Sequence, residues 1–385
     1  MSERTIEHSS EHGRTRLDGV RTIAVLRANA VGDYVMSLPA LQALRAAYPD
    51  AHVVLVGAPW HAAFLRGRPG PVDEVVVLPA VPGMGGMQPD APTGGLGEVL
   101  ADLRARELDL AVQLHGGGAQ SNPLVREFGA RHAVGLRAPG APELDREVPY
   151  RYYQSEVARY LEVVALVGAS PVGEAELVVT DADRGEAQRV LRRFDSTGFE
   201  STGFQSAAPL VAMHPGAADE RRRWPVERFA ALAVALVADG ARVVATGSAG
   251  EAGLVDRLVS LAAGPVTGLA GMLRLGGLAG LYSRCALVVS NDTGPRHLAQ
   301  AVGTPTLGFF WCGNAINAAP ATRSRHRVLL SWTLPCPECG ADCTRDLYRH
   351  RPGDGCAHRP SFLADIPVEE AVEEARDLLR TAARP

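Results

Sequence analysis

Short apolar runs alternate with amphipathic segments from Thr22 onwards, which predicts repeated strand–helix units. In the first half, the predicted strands are residues 22–27, 53–57, 74–78 and 108–114, with a further short strand at 177–179. Between strands, apolar side chains recur at spacings of three and four, as in Leu38, Leu41 and Leu44. Continuous apolar strands that alternate with helices are typical of a parallel sheet covered on both faces. The pattern therefore predicts an α/β fold.

The alternation stops at residues 196–204, which read STGFESTGF, and then restarts. A second set of strands is predicted at 210–214, 242–246, 286–290 and 306–310, and an amphipathic helix at 367–380. We therefore expect a disordered leader (1–19), a first Rossmann-like domain (20–195), a linker (196–206), a second Rossmann-like domain (207–335) and a cysteine-rich segment with the C-terminal helix (336–385). Both sheets should turn the carboxyl ends of their strands toward a central cleft.

Composition narrows the function classes. All 39 basic residues of the 385-residue chain are arginine, which excludes Schiff-base lysine chemistry and a Walker A lysine. A formal net charge of −4 argues against a nucleic-acid partner. No apolar run reaches the ~18 residues of a membrane span, and the polar N-terminus does not resemble a secretory signal. We expect a cytoplasmic protein.

Two turns of the first half could carry chemistry. Gly32 is expected to permit a tight turn after the first strand, with Asp33 just ahead of the first helix, where it could act as a base or only as a cap. The loop lacks G-x-G-x-x-G, which disfavours dinucleotide binding of the usual Rossmann kind. His115 ends a later strand, where it could contact a ligand or be a structural core residue.

Two strand-to-helix turns of the second half could bind an anion. The first contains Gly216 and the run Arg221-Arg222-Arg223, which could clamp a phosphate or simply pair with Asp219 and Glu220. The second turn follows the strand at 286–290, and its candidate residues are Asp292, Thr293, Gly294 and His297. Capping is the alternative role for Asp292. Two such turns in one domain favour a ligand that carries a diphosphate.

Three blocks of sequence together carry a family resemblance: residues 31–44 (VGDYVMSLPALQAL), 214–229 (HPGAADERRRWPVERF) and 291–305 (NDTGPRHLAQAVGTP). The chain resembles glycosyltransferase family nine, the heptosyltransferase-like enzymes of lipopolysaccharide core assembly, over roughly residues 20–380. The resemblance implies a GT-B fold and an inverting transfer that requires no cofactor or metal. It also implies a nucleotide-diphosphate sugar donor, ADP-heptose in heptosyltransferases, held by the C-terminal domain.

The resemblance also assigns roles to residues. Asp33 matches the proposed catalytic base, and Glu251 matches a residue near the nucleoside. The diphosphate and sugar contacts match Asp292, Thr293, Gly294 and His297. Arg222 stands where the family usually has lysine, so a planar fork replaces a point charge.

The acceptor stays open between a glycan, a protein and a small molecule, as does peripheral association with the inner membrane. Two alternatives to transfer also stay open: a nucleotide-sugar epimerase with the same fold, and a non-catalytic nucleotide-sugar-binding protein.

Four cysteines crowd near the C-terminus as C-x2-C-x3-C-x12-C: Cys336, Cys339, Cys343 and Cys356. Four thiolates could hold structural zinc or iron, and His350 and His358 lie nearby in sequence. Free buried thiols are the alternative.

Overall fold

Buried apolar runs form the first sheet. The computed structural model describes residues 15–84, 91–194, 208–264, 266–342 and 356–382, and it divides into two units, Met1–Ala175 and Glu176–Pro385. The strands of the first unit are β1 (Thr22–Leu26), β2 (His52–Gly57), β3 (Glu74–Val77), β4 (Leu110–Gln113), β5 (His132–Arg137) and β6 (Arg146–Pro149). They pair in parallel in the order β3-β2-β1-β4-β5-β6.

The order of this sheet reverses between β1 and β4. The helices of the unit are α1 (Val31–Ala47), α2 (Pro59–Leu65), α3 (Leu96–Ala105), α4 (Ser121–Arg126) and α5 (Glu156–Ala165). In an open parallel sheet, the crevice beyond the carboxyl ends of the strands at such a reversal is the usual ligand site. That point is therefore occupied by the loop after β4, which carries His115, and by the loop after β1, which leads into the first turn of α1 and Asp33.

The second unit repeats this plan. Its strands are β7 (Leu210–His214), β8 (Arg242–Ala245), β9 (Val266–Gly268), β10 (Leu287–Asn291), β11 (Thr306–Trp311) and β12 (His326–Ser331). They pair in parallel in the order β12-β11-β10-β7-β8-β9. The reversal lies between β7 and β10, whose loops are the two predicted anion-binding turns.

Seven helices flank the second sheet in the described part of this unit. They are α6 (Asp181–Arg192), α7 (Val226–Ala238), α8 (Ala252–Ala262), α9 (Leu275–Tyr282), α10 (Gly294–Ala301), α11 (Cys312–Ala318) and α12 (Val368–Ala382). The core of the unit joins the sheet to α7, α8 and α12, with Trp224 stacked on Phe309 at 4.0 Å between ring centroids.

Helix α6 belongs to the second unit, although we expected the first domain to extend to residue 195. It packs closely on α9, whose glycines leave room for it. A Cβ on Gly280 would lie 2.3 Å from the carbonyl oxygen of Asp183, and one on Gly277 would lie 2.6 Å from Glu186. The expected linker, 196–206, lies outside the described residues.

Other expectations differ at short or polar elements. Residues 177–179 form no strand, and the Leu177 N–H donates to the carbonyl of Ala301 at 2.9 Å. Strands β5, β6, β9 and β12 were not predicted from the sequence. Residues 1–14 of the expected leader lie outside the described part of the chain. Leu17 is packed rather than free, since its N–H donates to the Tyr48 hydroxyl at 3.1 Å.

Substituting Gly280 by alanine should destabilise the second unit, because the added methyl would meet the backbone of α6. Overpacking of this kind typically costs ~1–3 kcal/mol. Gly253→Ala in α8 is the matched control, since a Cβ there meets nothing within 4 Å and alanine is the better helix former by roughly 0.5–1 kcal/mol. Scanning calorimetry should show a lower melting temperature for Gly280→Ala alone. Equal melting of Gly280→Ala and the wild type would contradict the tight contact.

Candidate functional site

Asp33 lies inside the first turn of α1 rather than just ahead of the helix. One carboxylate oxygen accepts the N–H of Ala30 at 3.2 Å, and the other accepts a guanidinium N–H of Arg27 at 2.7 Å. The side chain remains 32% exposed. It therefore caps the helix start and is also reachable from solvent. Gly32, expected in a tight turn, is instead the buried second residue of the helix.

Arg27 is the buried support of this carboxylate. Its guanidinium also donates to the carbonyl of Leu114 at 2.6 Å and lies 4.9 Å from the ring centre of Tyr160. Burial alone would lower the pKa of Arg27, but Tyr160, Asp33 and Glu156 outweigh it and the pKa is raised. A permanent positive charge thus holds Asp33 in one orientation.

His115 is buried, and its Nδ1 accepts the N–H of Ala28 at 3.3 Å. This bond connects the loop after β4 to the loop after β1 across the sheet reversal. The contact favours the structural interpretation of His115, and its contact with a ligand stays a prediction.

An aromatic group beside the first loop was missed in the sequence. The Trp60 indole donates to the carbonyl of Asn29 at 3.0 Å and stacks on His61. Burial lowers the pKa of His61 to about 3, against the raising effect of its bond with the Ala58 backbone. His61 is therefore neutral at pH 7. The only sequence signal was the position of Pro59-Trp60-His61 directly after a strand.

In the second unit, Asn291 connects the loops that follow β7 and β10, the two strands at which the strand order reverses. Its amide nitrogen donates to the carbonyls of Pro215 at 2.8 Å and Gly216 at 3.3 Å, and its oxygen accepts the N–H of Trp224 at 2.9 Å. Asn291 is fully buried at the end of β10. The sequence showed only that it precedes Asp292, so its role was missed.

The three consecutive arginines have different partners. Arg221 pairs with Asp219 and Arg223 with Glu220, at 2.6 and 3.1 Å, as the alternative interpretation expected. Arg222 instead lies 3.5 Å from the carboxylate of Asp292, and its Nε is buried with no hydrogen-bond partner in the described residues. Only Arg222 of the three is directed toward the second predicted turn.

Asp292 is a buried carboxylate surrounded by cationic side chains. Its oxygens lie 3.4 Å from His297 and 3.9 Å from Arg296, in addition to Arg222. Burial alone would raise the pKa of Asp292, but the hydrogen bond from His297 and the charges of Arg296 and Arg222 lower it. Asp292 is therefore ionised at neutral pH. The capping interpretation is wrong for this residue, because Thr293 is the N-cap of α10.

Thr293 and Gly294 begin α10. The Thr293 side chain makes no capping bond, and Gly294 is the first helical residue. The first N–H groups of a helix have no acceptor within it, and the helix dipole favours an anion there. This turn therefore offers backbone donors next to Arg222.

Glu251 lies in the connection between β8 and α8, where its side chain approaches Gly216. A Cβ on Gly216 would lie only 1.9 Å from a Glu251 carboxylate oxygen, so a larger residue there would displace the Glu251 side chain. The other oxygen accepts both the N–H and the hydroxyl of Ser248 at 2.8 Å. Burial raises the pKa of Glu251, but His214 and Ser248 outweigh it and lower the pKa. The site thus combines an ionised carboxylate with a cationic turn, which suits the hydroxyl groups and the phosphates of a nucleotide.

Residues 97–348 match the model of glycosyltransferase family 9 (heptosyltransferase). The chain belongs to glycosyltransferase family 9. It is therefore a glycosyltransferase, and the resemblance inferred from its three sequence blocks is confirmed.

Relatives of this family 9 chain can be aligned with it over more than 90% of its length. Lipopolysaccharide heptosyltransferase 2 of Escherichia coli strain K12 is 25% identical over 374 residues, which cover 93% of this chain and 98% of that protein. The crystal structure of a family 9 glycosyltransferase from Veillonella parvula DSM 2008 has a TM-score of 0.73 at 22% identity, covering 94% of this chain and 97% of that one. The structure of the E. coli ADP-heptose lps heptosyltransferase II has a TM-score of 0.67, also at 22% identity, over 93% and 98%. The predicted GT-B fold is confirmed.

Three of the four predicted cysteines meet in this family 9 chain. The possible ligand atoms of Cys336, Cys339, Cys356 and His358 all lie within 4.8 Å of one another, an arrangement that could hold a metal ion. Cys343 lies outside the described residues. No helix in the described part of the chain is both long and apolar enough to cross a membrane.

Proposed function

We propose that this enzyme transfers heptose from ADP-heptose to a hydroxyl of an acceptor glycan, with inversion at the anomeric carbon and without a metal at the reacting atoms. The observation that carries the proposal is the convergence of Arg222 on Asp292 at the start of α10. The Arg222 guanidinium and the backbone N–H groups at the start of α10 therefore lie together where the strand order reverses, and a diphosphate would bind there.

On the donor side, each part of the nucleotide sugar has a counterpart. Arg222 and the N–H groups of Thr293 and Gly294 would bind the diphosphate, and Glu251 would accept hydrogen bonds from the ribose hydroxyls beside Gly216. Asp292 and His297 would contact the phosphate and sugar. The preference for ADP-heptose is supported by the relative that is itself described as an ADP-heptose heptosyltransferase.

Positive charge beside the diphosphate would also stabilise it as the leaving group. As the acceptor oxygen attacks the anomeric carbon, the bond to the diphosphate breaks and its electron pair leaves with the phosphate oxygen. Arg222 and the N-terminus of α10 would stabilise that developing charge, a role that a metal ion fills in other enzymes.

On the acceptor side, we propose Asp33 as the general base. It is exposed enough to meet a hydroxyl, and Arg27 fixes its orientation. Taking the acceptor's proton during attack from the face opposite the diphosphate inverts the configuration. The lipopolysaccharide heptosyltransferases among the relatives favour a lipopolysaccharide core acceptor, which the enzyme would meet in the cytoplasm at the inner membrane. A protein or small-molecule acceptor is the alternative that acceptor assays would identify.

Asp33→Asn should reduce turnover by about 10²–10⁴-fold, the usual contribution of a general base. ADP affinity should stay unchanged, because no donor contact in the proposal involves Asp33. Asp50→Asn, an exposed carboxylate beyond the other end of α1, is the control and should keep full turnover. Transfer of heptose to acceptor is the measured quantity. Normal turnover combined with a lower melting temperature for Asp33→Asn would leave it only a capping role.

Arg222→Ala should weaken ADP binding by ~1.5–3 kcal/mol, the value of a charge-assisted hydrogen bond. Arg221→Ala is the matched control, because that guanidinium is already paired with Asp219, and it should bind ADP like the wild type. Calorimetric titration measures both, and a thermal-shift panel of ADP, UDP and GDP tests the base preference. Equal affinities for the two variants, or equal shifts with all three nucleotides, would contradict the donor assignment.

A further inference from the structure

Four side chains near the C-terminus are arranged around one point. The Sγ of Cys356 lies 3.2 Å from that of Cys336 and 3.4 Å from that of Cys339. The Nδ1 of His358 lies 3.2 Å from the Sγ of Cys356 and 3.9 Å from that of Cys336. A tetrahedral zinc ion with bonds of ~2.0–2.3 Å separates its ligand atoms by roughly 3.3–3.8 Å. These four separations, 3.2–3.9 Å, are close to the edges of such a tetrahedron, and all the possible ligand atoms lie within 4.8 Å of one another.

The backbone and the neighbouring carboxylate prepare this arrangement. Gly340 donates to the carbonyl of Cys336 at 2.8 Å, and Cys336 donates to Ala341 at 2.7 Å, which closes a tight turn around the first two cysteines. Gly340 takes the left-handed conformation that this turn requires (φ +71°). Glu338 lies 3.4 Å from the Nε2 of His358. A carboxylate at one ring nitrogen orients a histidine so that the other nitrogen faces the metal.

We propose that Cys336, Cys339, Cys356 and His358 bind one tetrahedral divalent metal ion of the zinc class, and that this ion anchors the loop that carries Arg222. The ligand set differs from the four cysteines expected from sequence, since His358 takes the place of Cys343. When the metal binds, the ligand thiols release their protons to solvent and bind as thiolates. The second half of the proposal rests on the proposed function.

The connection to Arg222 runs through residues 361–366, which begin three positions after His358 and are here called the anchoring segment. Its Ser361 hydroxyl donates to the carbonyl of Arg223 at 2.5 Å, and its Phe362 N–H donates to that of Arg221 at 2.8 Å. The Trp224 indole donates to Ile366 at 3.0 Å. Backbone or side-chain bonds therefore hold the residues on both sides of Arg222, whose own guanidinium faces Asp292.

The metal ties the start of this segment to the end of the sheet. Cys336 and Cys339 follow β12 closely, whereas Cys356 and His358 lead into the anchoring segment. Ser331, the last residue of β12, donates its hydroxyl to the carbonyl of Phe362 at 2.5 Å. Without the ion, the described residues keep this bond and the packing of Phe362 between the sheet and the segment, and the loop around Arg222 should open more often.

Metal content tests the site itself. The full-length protein purified without chelator should hold about one zinc per chain by mass spectrometry of the metal. Cys339→Ser and His358→Ala should lose it, whereas Cys343→Ser should keep it. In the metal-free protein, added Co²⁺ should produce the visible absorption bands of tetrahedral thiolate coordination. Failure to bind either ion, or a dependence on Cys343 but not on His358, would overturn the proposal.

Hydrogen exchange and ADP binding test the anchor. Removing the metal should speed amide exchange at residues 219–224 and weaken ADP binding by roughly 5-fold or more, the lower end of measured couplings between sites. Ser361→Ala, which leaves all four ligands in place, should keep the metal and still show faster exchange there. Unchanged exchange in both proteins would overturn the anchoring role. If the wild type binds no ADP at all, the proposed function fails, while the metal and exchange results still decide this inference.

Discussion

The side chain of Asn291 is the constraint on which the nucleotide site depends. It lies fully buried where β10 ends, and its three hydrogen bonds fix the backbone at Pro215, Gly216 and Trp224. A buried polar group left unpaired costs about 1–3 kcal/mol, so the strands and the loop adopt one arrangement in which all these groups are paired. Gly216 then meets Glu251, and the chain before Trp224 directs Arg222 toward Asp292.

Electrostatics around Asp292 explain why a buried carboxylate is tolerated there. His297, Arg296 and Arg222 surround it, and Arg296 is itself fully buried, which lowers the pKa of Arg296 to about 10 without removing its charge at pH 7. Such a group holds its arginines in place before any ligand arrives. An arriving diphosphate would meet a preoriented cation, which reduces the entropy lost on binding.

The sequence predicted the parts of the fold that depend on long apolar runs. Eight of the twelve described strands, the helix at α12 and the turns after β1, β7 and β10 follow from periodicity, whereas β5 and β12 were missed although both contain buried residues. Strands β6 and β9 are short, and β6 contains charged residues and a proline, so no apolar run marked them. The packing of α6 on α9 is a contact between distant segments, and only the glycines of α9 hinted at it.

The site was predicted less completely, for a physical reason. Chemistry-bearing residues such as Asp33 and Asp292 stand out by type and position, but their partners are set by tertiary structure. Nothing in the run Arg221-Arg222-Arg223 shows which guanidinium faces Asp292 instead of pairing with the carboxylates next to it in sequence. The same holds for Asn291, whose neighbours lie about seventy residues away, and for His358, whose approach to Cys336 and Cys356 depends on tertiary structure.

The most direct test of this account is the affinity of Asn291→Ala for ADP, measured by calorimetry alongside its melting temperature. Asn291 is fully buried and is not among the proposed nucleotide contacts. An effect of its removal on ADP binding would therefore act through the loop between Pro215 and Trp224 that it holds. The Asn291→Ala protein should fold, and its ADP affinity should fall by roughly tenfold, equivalent to about 1.4 kcal/mol. A folded Asn291→Ala protein that binds ADP as tightly as the wild type would contradict the account.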